Sequence, residues 1–309
     1  LVLFQAFGFL TTRKAKLPPG PPGLPIIGNL LDIGDKPYKS MARLAKVHGP
    51  LMSLKIGQVT TIAISSPSVA KEILRKYDSV FSDRYIPGAT RVLDHNEFSI
   101  SWLPAGSLWR NLRKLCNSHI FTTQKLDANL ELRSKKVQEL LADVQQHCLA
   151  GKAVDISQSA FKAVFNGLSN ILFSLDLINS SSGTTHKDVV RGIMDVLGTP
   201  NLGDYFPILR YLDLQGITRR VEIHAVKLFI LFDSIINERL QSRKREGYEP
   251  KTDMLEALLS ISEENSDMMD NHLMKYLFMD LFLAGTDTTT SAIEWAMTEE
   301  KLHWYAIGR

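Results

Sequence analysis

In the last third of the chain an apolar helical pattern runs into a glycine, an acid and a row of alcohols. The residues are Leu281-Phe282-Leu283-Ala284-Gly285-Thr286-Asp287-Thr288-Thr289-Thr290-Ser291. Glycine and β-branched threonine both lower helix propensity, and a carboxylate among apolar residues is costly unless it has a partner. The apolar period nevertheless spans both sides, from Met274, Leu277 and Phe278 to Ile293, Trp295 and Met297. The pattern therefore predicts one helix over 269–300. Within it the Thr288 hydroxyl stands four residues after the Ala284 carbonyl, the spacing at which threonine bonds back and loosens or bends the ladder. Helices that tolerate such a break tend to do so at functional sites. The competing reading is a helix start, because Thr and Asp are good cap residues. Strong apolar helix upstream weighs against it.

The rest of the chain reads as mainly α with a small β-sheet. Pro37 to Val47 is a short amphipathic helix, and Leu51–Ile56 and Val59–Ile64 flank Gly57-Gln58 as a β-hairpin. A helix follows Pro67 through Val69, Ile73 and Leu74. Periodicity then fails from Phe81 to Pro104, and long irregular stretches in compact domains tend to be functional or disordered. Helix-period apolar positions mark segments near 107–120, 124–148, 155–177, 186–198, 220–246 and 252–264. Asn179–Thr184 reads as a polar loop. There is no internal repeat and no low-complexity tract.

Three motifs in register carry a resemblance. Ala284-Gly285-Thr286-Asp287-Thr288-Thr289 is similar to the oxygen-binding motif in the long distal helix of the cytochrome P-450 (haem-thiolate monooxygenase) family. Pro18-Pro19-Gly20-Pro21-Pro22-Gly23-Leu24-Pro25-Ile26-Ile27-Gly28-Asn29 resembles the proline-rich hinge of its microsomal members. Trp109-Arg110-Asn111-Leu112-Arg113 fits the Trp-x-x-x-Arg of the helix that meets the haem propionates. The wording between them resembles the plant terpenoid-oxidising branch, and the resemblance runs to about Glu299. It implies the N-terminal part of that fold, a haem cofactor, a small apolar, terpenoid-like substrate, dioxygen, and electrons from an NADPH-dependent reductase.

The family's later Glu-x-x-Arg helix and Phe-x-x-Gly-x-Arg-x-Cys loop, whose cysteine ligates the iron, have no counterpart. Glu72-Ile73-Leu74-Arg75 matches the first by letters only, far upstream of its family place. The expectation is a fragment, a truncated splice product or a frameshifted reading, with residues 30–299 an incomplete domain and 300–309 an aberrant tail. The alternative function is then a catalytically dead product, at most an apolar-ligand-binding or membrane-tethered helical remnant. A helical interaction module whose threonines only cap a helix is a third reading.

At the other end the apolar run Leu1–Leu10 precedes Arg13, Lys14 and Lys16. Roughly 20 apolar residues are needed to span a bilayer, so residues 1–16 read as the remnant of an anchor, with 17–29 as a stiff extended hinge. Basic residues after the run hold that end on the cytoplasmic face, in this family of the endoplasmic reticulum. A short buried helix is the competing reading. A net charge of +3 over 309 residues is too small and dispersed for a nucleic-acid partner. Two cysteines, Cys116 and Cys148, make neither a disulfide framework nor a metal-ligand set. Positive charge near Cys116 would lower its pKa, but buried and inert is the simpler expectation for both.

Roles follow from these positions. Asp287 can take protons from solvent, and Thr288 can donate and accept where dioxygen is activated. Ala284 and Gly285 supply space for the cofactor. Asp280, Ala284, Asp287 and Thr288 share one helix face, so Asp280 is a candidate pocket residue one turn upstream, against a solvated or salt-bridged helix acid. Leu283 is expected at the substrate with it. Trp109 and Arg113 emerge on one side of a helix, an indole N–H and a guanidinium suited to propionate oxygens. From the residues alone they read as core and surface. The resemblance further implies that Tyr85–Leu103, with Val92, Leu93, Phe98 and Ile100, roofs the pocket. It also implies that Asn201–Phe206 lines the side, Phe206 at the substrate.

Overall fold

Helix starts are written plainly in this chain. Pro37 and Pro67 open helices where a missing N–H costs nothing. Thr122, Asp155 and Asp253 each accept a backbone N–H three residues on, at 3.1, 2.9 and 3.0 Å. The computed structural model describes residues 17–178, 183–266 and 268–307, without the side chains of 183–187 and 300–307. The expected anchor remnant lies outside the described residues. Among them no helix is long and apolar enough to cross a membrane.

In chain order the first elements are α1 (Leu30–Ile33), α2 (Pro37–His48), β1 (Leu51–Ile56), β2 (Val59–Ile64) and α3 (Pro67–Lys71). A π-turn, Glu72–Lys76, continues α3, and a 3-10 segment, Gly88–Asp94, leads into α4 (His95–Phe98). Then come α5 (Ser107–His119), α6 (Thr123–Ala128), α7 (Leu130–Leu149) and α8 (Ile156–Phe173). The remainder is α9 (Gly183–Leu197), α10 (Leu202–Tyr205), a 3-10 turn at Pro207–Leu212, α11 (Ile217–Arg243), α12 (Met254–Glu264) and α13 (Asn271–Ile307). The mainly helical class with one small antiparallel hairpin is as the sequence predicts. Two expectations shift: the segment near 124–148 is two helices broken at Asn129, and helix already begins at Gly183 inside the expected loop.

The chain forms two units, 1–83 with 201–215, and 84–200 with 216–309. In the first, β1 and β2 pair antiparallel from Leu51↔Ile64 to Ile56↔Val59 around Gly57-Gln58. Gly57 has φ +60°, the left-handed conformation that a two-residue turn needs. Alternate β1 residues Met52, Leu54 and Ile56 are buried with Ile33. The proline-rich segment is fastened to this hairpin. Ser53 N–H donates to the Pro19 carbonyl at 2.9 Å, and the Ser53 hydroxyl to that of Pro18 at 2.7 Å. Asn29, 1% exposed, donates to Asp32 Oδ2 at 2.9 Å and accepts from Lys55 N–H at 2.9 Å. A Cβ at Gly20 would stand 1.9 Å from the Ser53 carbonyl oxygen. The stiff extended hinge is thus part of the hairpin's packing. Glu72 of the letters-only Glu-x-x-Arg pairs at the surface with Lys76 at 3.4 Å.

The second unit is built on α13, whose Phe278 and Phe282 pack on Phe173 and Phe165 of α8. The ring centroids lie 4.8 and 5.0 Å apart. Phe232 of α11 closes the cluster, 5.7 Å from Phe282. Each fully buried ring stabilises by about 1.5–3 kcal/mol. The seam between α8, α11 and α12 is ionic. Arg239 reaches Asp253 through both terminal nitrogens at 2.9 and 2.8 Å, Glu256 at 3.1 Å and the Phe173 carbonyl at 2.8 Å. All three side chains are less than a tenth exposed.

Removing Arg239 takes the cationic partner from the buried Asp253, while Glu256 keeps Arg243 at 3.1 Å; breaking a buried pair on one side typically costs ~3–5 kcal/mol. Urea unfolding of Arg239→Ala should show that loss, while Lys244→Ala on the exposed side of the same helical end should change little.

Candidate functional site

The Gly285–Thr290 stretch is uninterrupted α-helix inside α13, 37 residues long, so the capping alternative fails. The threonines bond backwards as their spacing predicts. Thr288 Oγ1 donates to the Ala284 carbonyl at 2.7 Å, Thr289 to Gly285 at 3.0 Å and Thr290 to Thr286 at 2.8 Å. Thr288 and Ala284 are exposed and Asp287 is half-buried. In this rotamer the Thr288 hydroxyl proton is occupied, leaving its oxygen free to accept; a rotation about χ1 frees it to donate.

One turn upstream the helix carries a buried polar cluster. Asp280 is 5% exposed and receives Ser99 Oγ at 2.7 Å from each carboxylate oxygen and His95 Nε2 at 3.1 Å. Its partners stand four apart, at the first residue and just past the end of α4. Tyr276, a further turn back, donates its hydroxyl to the Leu93 carbonyl at 2.6 Å. Burial, then the charges of Asp94 and Glu97, raise the Tyr276 pKa, so this donor keeps its proton. Two α13 side chains thus clamp the segment in which Leu93 and Asp94 take left-handed φ of 54° and 56°. Such strain persists only where the surroundings over-determine it.

Between this clamp and the helices lies a cavity of about 170 Å³. Ala89, Val92 and Leu93 form one wall, Ile193, Met194 and Leu197 of α9 a second, Val221, Ala225 and Phe229 of α11 a third. α13 contributes Met279, Asp280, Leu283 and Ala284. Apolar cavities of ~150 Å³ admit a benzene-sized guest. Asp280 and Leu283 therefore sit at the cavity, as does Ala284. Of the expected roof, Val92 and Leu93 line it. Phe98 instead stacks on Tyr276 at 5.0 Å, and Ile100 uses its carbonyl to accept the Trp109 indole N–H at 3.1 Å. Ser101 and Trp102 line the cavity in place of Ile100. Phe206 belongs to the first unit, where its ring abuts the Gly57 turn.

Trp109 and Arg113 share one side of α5, with the guanidinium 6.0 Å from the indole ring centre. The indole N–H is already spent on Ile100, so it is not available to an anionic group. Arg113 is exposed, and no ion pair engages it among the described residues. Next along α5, Cys116 is 1% exposed; burial pushes its thiol up to about 11, against the opposing pull of Arg113 and with a further push from Asp280. It is inert, as the simpler expectation has it, whereas Cys148 is exposed, contrary to it. The free guanidinium and the exposed, small-residue Ala284–Thr288 face fit a flat apolar group edged with carboxylates, as haem is. Cys116, buried with its thiol pushed up to about 11, offers no ready thiolate.

Gly285 departs from its expected role. A Cβ there would stand 3.0 Å from Leu168 Cδ2 of α8. Its missing side chain makes room for the neighbouring helix α8. The signal was present: Gly285 follows Phe278 by seven and Phe282 by three, on the face turned to α8. His95 and Ser99 were passed over in the aperiodic loop. A carboxylate inside an apolar helix demands donors, and a histidine and serine one helical turn apart supply them.

A family model described as Cytochrome P450 matches residues 18–300. Among similar curated proteins is geraniol 8-hydroxylase of Catharanthus roseus, 48% identical over 301 residues, covering 97% of this chain and 61% of the relative. The geraniol 8-hydroxylase of Swertia mussotii is 48% identical over 301 residues, with 97% and 60% covered. Ferruginol synthase of Salvia miltiorrhiza is 41% identical over 290 residues, with 93% and 59% covered. The chain spans about 60% of the length of these relatives.

If Gly285 serves helix packing, Gly285→Val should destabilise by ~1–3 kcal/mol through overpacking. Leu168→Ala should return part of that loss in a double-mutant cycle read by thermal unfolding. Purely additive effects would detach Gly285 from α8.

Proposed function

Because the chain belongs to the cytochrome P450 family, we propose that the whole protein is a haem-dependent monooxygenase. It hydroxylates a small apolar, terpenoid-like substrate with dioxygen and electrons from an NADPH-dependent reductase. The observation that carries this reading is the apolar cavity walled by Leu283 and Ala284, one turn before the back-bonded Thr288 on the same helix. The relatives named as geraniol 8-hydroxylase and ferruginol synthase support a terpenoid substrate. Haem, when bound, supplies the activation of dioxygen.

The chain's own residues do the rest. The cavity walls hold a hydrocarbon by burial and keep bulk water from it. Asp287, half-buried beside Thr288, passes protons in from solvent, and Thr288 rotates between the Ala284 carbonyl and the reacting site to hand them on. Arg113 holds a carboxylate at the edge of the cofactor, with Trp109 as the platform under its guanidinium. Residues 1–16 act as the end of a membrane anchor at the cytoplasmic face of the endoplasmic reticulum, and 17–29 join it to the domain of 30–299. Residues 300–309 are a tail foreign to the family pattern.

A second reading rests on the cysteines. With Cys116 buried and its thiol held up near 11, and Cys148 exposed at the end of α7, the 309 residues by themselves form an inactive product able at most to hold an apolar ligand. Reconstituted with haem, this chain should give no thiolate-type band in a reduced carbon-monoxide difference spectrum. A thiolate band would sink that second reading.

In a protein of the relatives' full length, Thr288→Ala should uncouple NADPH use from product and raise peroxide. Asp287→Asn should slow turnover with coupling better kept, and Arg113→Ala should lower haem retention while Lys114→Ala does not. Unchanged coupling in Thr288→Ala would count against the assignment of the proton path.

A further inference from the structure

The cavity lining is mostly apolar, with Thr90, Ser101 and Trp102 as neutral polar residues. Among the described residues His95 and Asp280 are the ionisable ones that line it, 6% and 5% exposed. A carboxylate can only accept, so the proton shared across the 3.1 Å contact sits on His95 Nε2. In the neutral ring Nδ1 is then a bare acceptor, and it is buried without a partner among the described residues. Asp280 also keeps unused lone pairs, because two donors serve a group with about four acceptor positions. Thr90 Oγ1 donates to the Pro87 carbonyl at 2.8 Å and Tyr276 to that of Leu93, while the two other neutral polar lining residues, Ser101 and Trp102, are half-buried and hydrogen-bond to neither His95 Nδ1 nor Asp280. The cluster therefore holds acceptors in excess of donors inside an apolar cavity, and a buried polar atom left unpaired calls for an explanation.

We propose that the His95–Asp280 pair anchors a single hydroxyl of an otherwise hydrocarbon ligand, which donates its O–H to the pair's open acceptors. This rests on the cavity being an apolar-ligand site and adds the ligand's polar end: an alcohol, where a plain hydrocarbon would leave the acceptors unmet. Ser99 is a positioning residue, holding both carboxylate oxygens in place. The left-handed backbone at Leu93 and Asp94 is what brings the His95 ring to Asp280, which gives that strain a purpose in recognition.

The test is calorimetric titration of the full chain with an acyclic ten-carbon terpene alcohol and with the analogue in which hydrogen replaces the hydroxyl. The alcohol should bind about tenfold more tightly, the worth of a well-formed buried hydrogen bond. His95→Phe should narrow that preference, read as the ratio of the alcohol's affinity to the hydrocarbon's within the same variant. Asp280→Asn, nearly the same shape, guards against misfolding of the first variant and should cut the preference at least ~3-fold. Equal binding of the two ligands by the unaltered chain would overturn the anchor and leave the apolar site standing. So would an undiminished preference in both variants when their circular dichroism is native. Binding of neither ligand would overturn the apolar-site reading itself, and the anchor with it.

Discussion

Because Phe278 and Phe282 bed against Phe173 and Phe165, one face of α13 is committed to α8, and what the other face can do follows from helix geometry. Gly285 extends the committed face by removing its own side chain where Leu168 comes close. At about 100° per residue, Tyr276, Asp280, Ala284 and Thr288 then fall together on the far side. That side would be a liability in an ordinary core helix. It carries a phenol and a carboxylate four apart and a hydroxyl eight residues further on, with Ala284 between them. Each of the first two finds its partner in the segment between Gly88 and Ser99, so the helix that anchors the core also holds the loop that walls the cavity.

Much of this was legible before any coordinates. The hairpin, α5, α8, α11, α12 and α13 all announce themselves through periodicity, proline starts or acidic caps. Thr288 bonds to Ala284 because only one carbonyl lies four residues back. What the sequence could not show was where an aperiodic stretch would fold. Ile100 and Ser101 differ by a single residue, yet one is turned to the Trp109 indole and the other to the cavity. Phe206 likewise depended on a three-dimensional placement that no periodicity encodes. Proline density pointed to a stiff segment but was silent on its docking. The docking depends on Asn29, whose amide donates to the Pro21 and Pro22 carbonyls before it and accepts from the Lys55 N–H after it.

The ionic seam around Arg239 and the polar clamp around Asp280 illustrate two different uses of a buried charge. At Arg239, burial works against the charged form, but the hydrogen bonds and charge of Asp253 outweigh it and raise the guanidinium's pKa. Every group there is paired, so the seam is closed and has nothing left to offer a ligand. At Asp280 the donors are fewer than the acceptors, and the histidine that supplies one of them has its second nitrogen unpaired.

That imbalance carries a physical consequence for how the cavity discriminates. A site lined only by hydrocarbon tells ligands apart by size, at roughly 1–3 kcal/mol per methylene, and rejects an added hydroxyl poorly. A site with unmet buried acceptors works the other way, because a ligand that lacks the donor leaves those acceptors dry and unpaired. The strained Leu93–Asp94 backbone, the Tyr276 hydroxyl and the Ser99 hydroxyl all act to hold His95 and Asp280 where that penalty can be felt. Relaxing any one of them would let the loop settle and the acceptors find water, turning a selective cavity into a merely greasy one.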